Sequence, residues 1–422
     1  MDIKDSNISE SSKKELYSFS KNNFNVFIFA GMMIFGIVIC LSVIVYSHGE
    51  SWKYLLMIDT EDTFMDFFHS VSRVYGGNPY KYLVNYPAFP FLIFKIVFRI
   101  IPSSIDLSDG FAIRNFSGGM IICFTFFAAQ LFIMAKLFLM KFNNVQYKNV
   151  LTVLLLLSGP IIFTIERGNI ILLAFLFSLI FVLNYDSTNK INQIIANVCL
   201  AMAAAIKIYP AILFFLYLKN KDYKNFVFGG ILSFLFFIIP FFFFGGIDSI
   251  ISMVNSLLRT TTEGQQIGYG SSFSLLTICN IFCKLFDINF PYFYISIFSA
   301  FIVSLLFNFC ISKSKIDSVL LLALSIIIIP SISYTYSLIF LILPLIFILK
   351  SKTNYWYYVI FITLILIPYC FSGIDIAGVG NNVRYPLTYG NIIQLLSLVV
   401  LYLTITLKNL HLIIYKKGKS FD

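Results

Sequence analysis

Four carboxylates, Asp59, Glu61, Asp62 and Asp66, fall within eight residues of one another, and His69, Arg73 and Lys81 follow them among Phe and Tyr. The run begins just after the first strongly apolar segment. An ionisable cluster at a bilayer edge is expensive unless it faces water and does something. A carboxylate placed there can take a proton from a hydroxyl as a general base. Several together can hold a divalent cation through hard oxygen ligands. Lys207 stands alone in the apolar stretch Ala203-Ala-Ala-Ile-Lys207-Ile-Tyr-Pro210. Such a lysine snorkels to an interface or is paired and functional. Arg259 and Arg384, in later polar segments, supply fork-shaped donors of the kind that grip phosphate.

Those residues need a frame, and the rest of the chain supplies it. Of 422 residues, 59% are hydrophobic and only 12% charged, against roughly 25% charged in soluble proteins. Apolar runs such as 224–245, 291–311 and 391–407 approach the ~20 residues that cross ~30 Å of hydrocarbon. Continuous Leu/Ile/Phe runs exclude a β-barrel, which alternates in ~10-residue segments. The fold class is an all-α polytopic transmembrane helix bundle of about 11–13 spans. The net charge of +10 does not point to nucleic acid, because Lys and Arg punctuate the ends of apolar runs. The seven cysteines show no disulfide or zinc spacing and read as small buried hydrophobes.

Residues 1–24 read as a cytoplasmic tail and 25–422 as a single integral membrane domain; the run at 25–46 is too long for a cleaved signal peptide. The expected spans are 25–46, 87–101, 114–140, 149–165, 169–185, 191–218, 224–245, 291–311, 316–330, 333–349, 355–372 and 391–414. Lysine clusters at 219–224, 313–315, 350–352 and 416–419 mark the inside. The polar segments 47–86, 247–290, 331–336 and 373–390 then converge outside. Two versions remain open. If 87–101 spans and 191–218 crosses once, the Glu166–Asn169 turn is cytoplasmic. If 87–101 is re-entrant and 191–218 is a hairpin broken at Lys207 and Pro210, that turn and Lys207 are external. Within the first loop, Phe64, Phe67, Phe68, Val71 and Val74 share one helical face, the pattern of an amphipathic helix lying on the bilayer surface.

The order of these pieces resembles the polyprenyl-phosphate-sugar-dependent glycosyltransferases of the GT-C class, closest to the branch of the phosphatidylinositol-mannoside mannosyltransferases (glycosyltransferase family 87). Asp62 stands seventeen residues before Pro79-Tyr80, after Gly76-Gly77-Asn78, and Tyr86-Pro87 opens the next apolar segment. Glu166-Arg167-Gly168-Asn169 resembles the family's Gly-x-Asn-Leu-Leu segment, and Lys207-Ile-Tyr-Pro210 its Ala-rich Lys-x-x-Pro segment. Ser271-Ser-Phe-Ser resembles a short surface helix, and Pro330-Ser-Ile-Ser-Tyr334 the start of a late span. The chain departs from the pattern at Ala88, at Tyr334 in place of Trp, and at Arg167 before Gly-Asn.

The resemblance implies a membrane hexosyltransferase with an inverting mechanism, a polyprenyl-phosphate sugar as donor and a surface glycan or glycolipid such as O-antigen as acceptor. It suggests mannose; glucose transfer is equally reasonable. Asp62 is the implied base, with Asp66 its physical rival. Lys207, Arg384 and Arg259 are candidates for the donor phosphate, and His69, Tyr80, Tyr86, Glu166, Asn169 and Tyr334 for donor or acceptor binding. No metal ligand set is assigned and no cofactor is expected, a divalent cation being the one option the acids leave open. The expected location is a bacterial inner membrane, multi-pass, with the site facing the periplasm. An O-antigen polymerase would rely on Arg in a later loop, and a flippase or transporter would show repeated halves.

Overall fold

The computed structural model describes residues 10–56, 60–82, 84–263, 272–288, 292–373 and 387–418. Among them regular structure is helical, with two isolated β-bridges, Ser272 to Tyr334 and Gly373 to Thr388. Phe24–Tyr46, Ser117–Lys141, Tyr223–Phe243, Phe293–Ile311 and Tyr389–Ile414 are each long and apolar enough to cross a bilayer. The pair Lys148–Leu156 and Gly159–Arg167, bent by 47°, makes a sixth when taken as one broken span. Pro160 explains the bend, because its ring and missing N–H cannot continue a helix from the residues before it. The protein is therefore an all-α, multi-pass membrane bundle.

The remaining apolar helices are shorter, and burial shows why. Ile171–Asn184, Lys190–Ile206, Lys315–Ile328 and Ile342–Lys350 are largely buried among other helices. The five long helices instead expose most of their surface, with side chains such as Phe35, Val38, Leu41, Phe234 and Leu403 uncovered. An inner helix shielded by protein has its broken backbone satisfied by neighbours, so a full lipid-spanning run is not required of it.

Contacts sort the chain ends into two groups. At one end Lys315 pairs with Asp186 at 2.5 Å. There too, Lys219 donates to the carbonyls of Phe309 and Cys310, Lys141 sits 4.9 Å over the Phe347 ring and Asn25 bonds Ile348 and Thr353. At the other end the first loop meets Gly110, the Glu166–Asn169 turn and Gly245.

This sorting decides between the two topologies. Phe89–Phe98 spans only ten residues, about 15 Å of helix, and both its flanks return to the first-loop end. It is re-entrant, not a crossing. Lys190–Ile206 stops at Lys207, whose backbone is extended (φ −138°, ψ 127°). The chain then returns through Tyr209–Phe214 and Phe215–Lys219 to the lysine-rich end. Residues 191–218 form a hairpin with Lys207 at its far tip.

The first-loop helix departs from expectation. It covers Met65–Ser72 and is buried on nearly every side, with Phe67 against Phe94, Phe126 and Phe127. It lies inside the protein, not on the bilayer surface. Asp62 is not part of it: Asp62 closes a short 3₁₀ turn, Thr60–Asp62, and Phe64 between them is left-handed (φ 63°). The surface helix is instead Ile247–Glu263, whose exposed Ile247, Ile251, Val254 and Leu258 form one stripe opposite buried Ser249, Met253 and Ser256.

Candidate active site

The site is assembled on a helix terminus. Gly159–Arg167 ends at Gly168, which is left-handed (φ 66°) and terminates the helix as glycine does best. The turn that follows docks the first loop. Phe64 N–H donates to the Glu166 carbonyl at 2.6 Å, and Thr63 Oγ1 donates to Glu166 Oε1 at 3.2 Å. Gly168 has no room for a side chain: a Cβ there would lie 2.8 Å from the Phe64 carbonyl oxygen and 2.9 Å from Phe67 Cβ.

Arg167 reaches over this joint. Its Nη2 is 2.6 Å from Asp66 Oδ1, while Nη1 donates to the Asp62 carbonyl at 3.1 Å and lies 3.7 Å from Asp62 Oδ2. Fully buried Asn169 donates from Nδ2 to Asp66 Oδ2 at 2.7 Å and to the Tyr86 hydroxyl at 3.2 Å. Its own Oδ1 accepts from Ile171 N–H at 3.0 Å, which fixes the amide's orientation. Both Asp66 oxygens thus already accept a hydrogen bond from protein, so Asp66 is positioned and positions others. Glu166 Oε2 is buried and has no hydrogen-bond partner among the described residues.

Across Tyr86 stands the cation. Lys207 Nζ lies 3.9 Å from the centroid of the Tyr86 ring and 5.8 Å from that of Tyr336. Among the described residues no carboxylate comes within ion-pair distance of it; burial lowers its pKa to about 7, and the nearby Asp66 charge opposes that shift. Aromatic faces attract an ammonium and hold its direction without neutralising it. Burial, then the nearby Asp66 charge, raises the Tyr86 phenol well above its ordinary value, so that hydroxyl stays protonated. Arg73, largely buried, adds a second positive group that acts on Tyr86 and Asp66.

The other expected residues fall as follows. Tyr80 stacks on Phe241 and donates to the Tyr86 carbonyl at 3.0 Å, so it supports Tyr86 from behind. Asn78 accepts from Tyr80 N–H and lies against Gly245, which locks the Gly-Gly-Asn-Pro turn. Tyr334 packs on Tyr336 at 5.6 Å, one layer out. His69 packs against Gly110 and the edge of Phe111, where burial and then Arg73 lower its pKa below 6.5 while Asp62 and Asp66 oppose the shift. It does not share a helical face with Asp62. Arg259 lies exposed on the surface helix, and Arg384 lies outside the described residues. No three His, Cys, Asp or Glu among the described residues are grouped to hold a metal ion; Asp59 is outside that set.

Arg167 and Tyr336 belong to the candidate site by their contacts and were not among the expected residues. Arg167 stood in view as a departure from the family pattern. A charge beside a helix-ending Gly-Asn, with unpaired acids upstream, was the signal for it. For Tyr336 no such signal exists.

No curated protein and no solved structure matches the chain. The description "Glycosyltransferase family 87" matches residues 101–330, more than half of the sequence. The matched stretch holds the Glu166–Asn169 turn and Lys207; Asp62, Asp66 and Tyr86 precede it. With that match over more than half of its length, covering the turn that clamps Asp62 and Asp66 and the hairpin tip at Lys207, the chain belongs to glycosyltransferase family 87.

Proposed function

We propose that this glycosyltransferase moves a hexose, mannose or glucose, from a polyprenyl-phosphate donor to a surface glycan or glycolipid such as O-antigen, with inversion at the anomeric carbon. The observation that carries this reading is Lys207: its amine lies over the Tyr86 ring and near that of Tyr336, with no carboxylate in ion-pair range among the described residues, within electrostatic reach of Asp66, which Arg167 holds. The phosphate of the lipid-linked donor, a diester that becomes the polyprenyl phosphate monoester on leaving, supplies the missing anion.

In this reading the acceptor hydroxyl attacks the anomeric carbon and gives its proton to Asp62. The bond from that carbon to the phosphate oxygen breaks, and polyprenyl phosphate leaves with its charge against Lys207. Asp66 and Asn169 hold Tyr86 and Arg167 in register. One carboxylate suffices because no covalent intermediate forms, and the residues named need neither metal nor cofactor for this step.

The site end lies opposite the end that gathers Lys141, Lys219, Lys315 and Lys350. Positive charge favours the cytoplasmic side, so the site faces the periplasm or exterior of a bacterial inner membrane. The test is transfer of labelled hexose from a synthetic polyprenyl-phosphate donor by purified protein in liposomes. Transfer from a nucleotide sugar in place of the lipid donor would reject the reading.

A further inference from the structure

Cys40 and Cys370 are far apart in sequence and adjacent in space. Gly36 of the helix Glu10–Tyr46 lies directly on the 367–373 segment, where a Cβ would stand 2.6 Å from Ile367. One helical turn further along, Cys40 comes into the same packing cluster as Cys370. Together with Leu55 they form a small apolar cluster separate from the main core. Cys370 also lines a cavity of about 660 Å³ with Ser47, Tyr54, Ser372 and Tyr389. The pair sits toward the site end, since Cys370 precedes the Gly373–Thr388 bridge, and neighbouring Tyr369 lines a second cavity with Thr335, next to Tyr336.

We propose that Cys40 and Cys370 are a disulfide site that ties the first long helix to the segment leading into the last. The inference rests on the exterior placement proposed above, because disulfides persist in oxidising compartments. The oxidant is a thiol–disulfide oxidoreductase of that compartment. The Cys370 thiolate, reached through the cavity, attacks its disulfide and forms a mixed disulfide. The Cys40 thiolate then attacks Cys370 Sγ and expels the oxidoreductase, which departs as a dithiol with the two electrons and both protons.

The experiment is peptide mapping of the full chain, alkylated at lysis and digested without reduction. The expected result is one linked peptide pair carrying Cys40 and Cys370, two hydrogens lighter than the separate peptides and lost on adding dithiothreitol. Cys370→Ser should release Cys40 as an alkylated thiol. Both cysteines alkylated in the unreduced wild type, or either one linked elsewhere, overturns the proposal. In a parallel preparation Ser104→Cys is probed in intact cells with an impermeant maleimide. Free Cys40 and Cys370 with labelled Ser104→Cys defeats the disulfide alone; free thiols with no label defeat the exterior placement as well.

Discussion

Arg167 Nη2 lies 2.6 Å from Asp66 Oδ1, and this pair joins the turn ending Gly159–Arg167 to the first-loop helix Met65–Ser72. The same guanidinium reaches Asp62 through Nη1, so one side chain holds both candidate acids. A planar fork can do this where a lysine could not. Holding charged groups largely out of water is costly unless donors satisfy them, and Asn169 supplies the second donor for Asp66.

The two acids are therefore expected to separate on substitution. Asp62→Asn should cut transfer by ~10²–10⁴-fold with little change in melting temperature. Asp66→Asn removes the partner charge of Arg167, and breaking such a pair should lower stability by about 1–3 kcal/mol. Transfer assays and thermal melts on both variants check this. An active Asp62→Asn beside an inactive but fully stable Asp66→Asn would exchange the two roles.

Gly168→Ala should disturb the joint without touching any charged group. Its φ of +66° disfavours a side chain, and the new Cβ would meet the Phe64 carbonyl at 2.8 Å. Strain of this kind costs of order 1–3 kcal/mol. The expected outcome is a lower melting temperature with transfer reduced in step. Wild-type behaviour would mean that the first loop does not dock there.

Much of this was legible in the sequence, and the failures have physical causes. Long outer helices announce themselves because lipid demands an unbroken apolar run. The inner helices do not, since protein shields their ends; hence 87–101 looked like a weak span and is a re-entrant helix. Asp62, Asp66, Tyr86, Asn169 and Lys207 were recognised individually from residue type and resemblance. Their meeting was not, because the contacts link positions about a hundred residues apart. The Phe-rich face at 64–74 read as lipid-facing because apolar periodicity does not distinguish a bilayer from the rings of Phe94, Phe126 and Phe127 that occupy its place.

The hairpin topology makes a sharp demand on labelling. Ser104, exposed between the re-entrant helix and Gly110–Asn115, should react as Ser104→Cys with an impermeant reagent applied to intact cells. Thr188, exposed beside the Asp186–Lys315 pair, should be protected as Thr188→Cys until the membrane is opened. The alternative, with 87–101 crossing, places Ser104 inside, so protection of Ser104→Cys would reinstate it.

His69 gives a pH dependence with a defined sign. Burial, then Arg73, lowers its pKa from 6.5, so the folded state prefers the neutral ring. Its contribution is present in full above pH 6.5 and is lost as pH falls through the lowered folded value. The melting temperature should drop on acidification below pH 6.5, and His69→Gln should flatten that limb. An unchanged limb would remove His69 from the packing against Gly110 and Phe111.

Lys207 separates the donor-phosphate role from a purely structural one. If its ammonium takes the charge of the departing phosphate, Lys207→Met keeps the apolar stem among Tyr86 and Tyr336 and loses the charge. A pre-placed electrostatic group of this kind is typically worth ~10²–10³-fold in rate. Lys207→Arg retains the charge with altered geometry, so partial transfer should survive. The two rings favour both stems, and melting temperatures should stay near wild type. Binding of polyprenyl phosphate alone should weaken in Lys207→Met and fall less in Lys207→Arg. Should Lys207→Met bind the lipid phosphate and transfer sugar normally, the cation would be a packing group, and the phosphate would have to be met by Arg73 or Arg167.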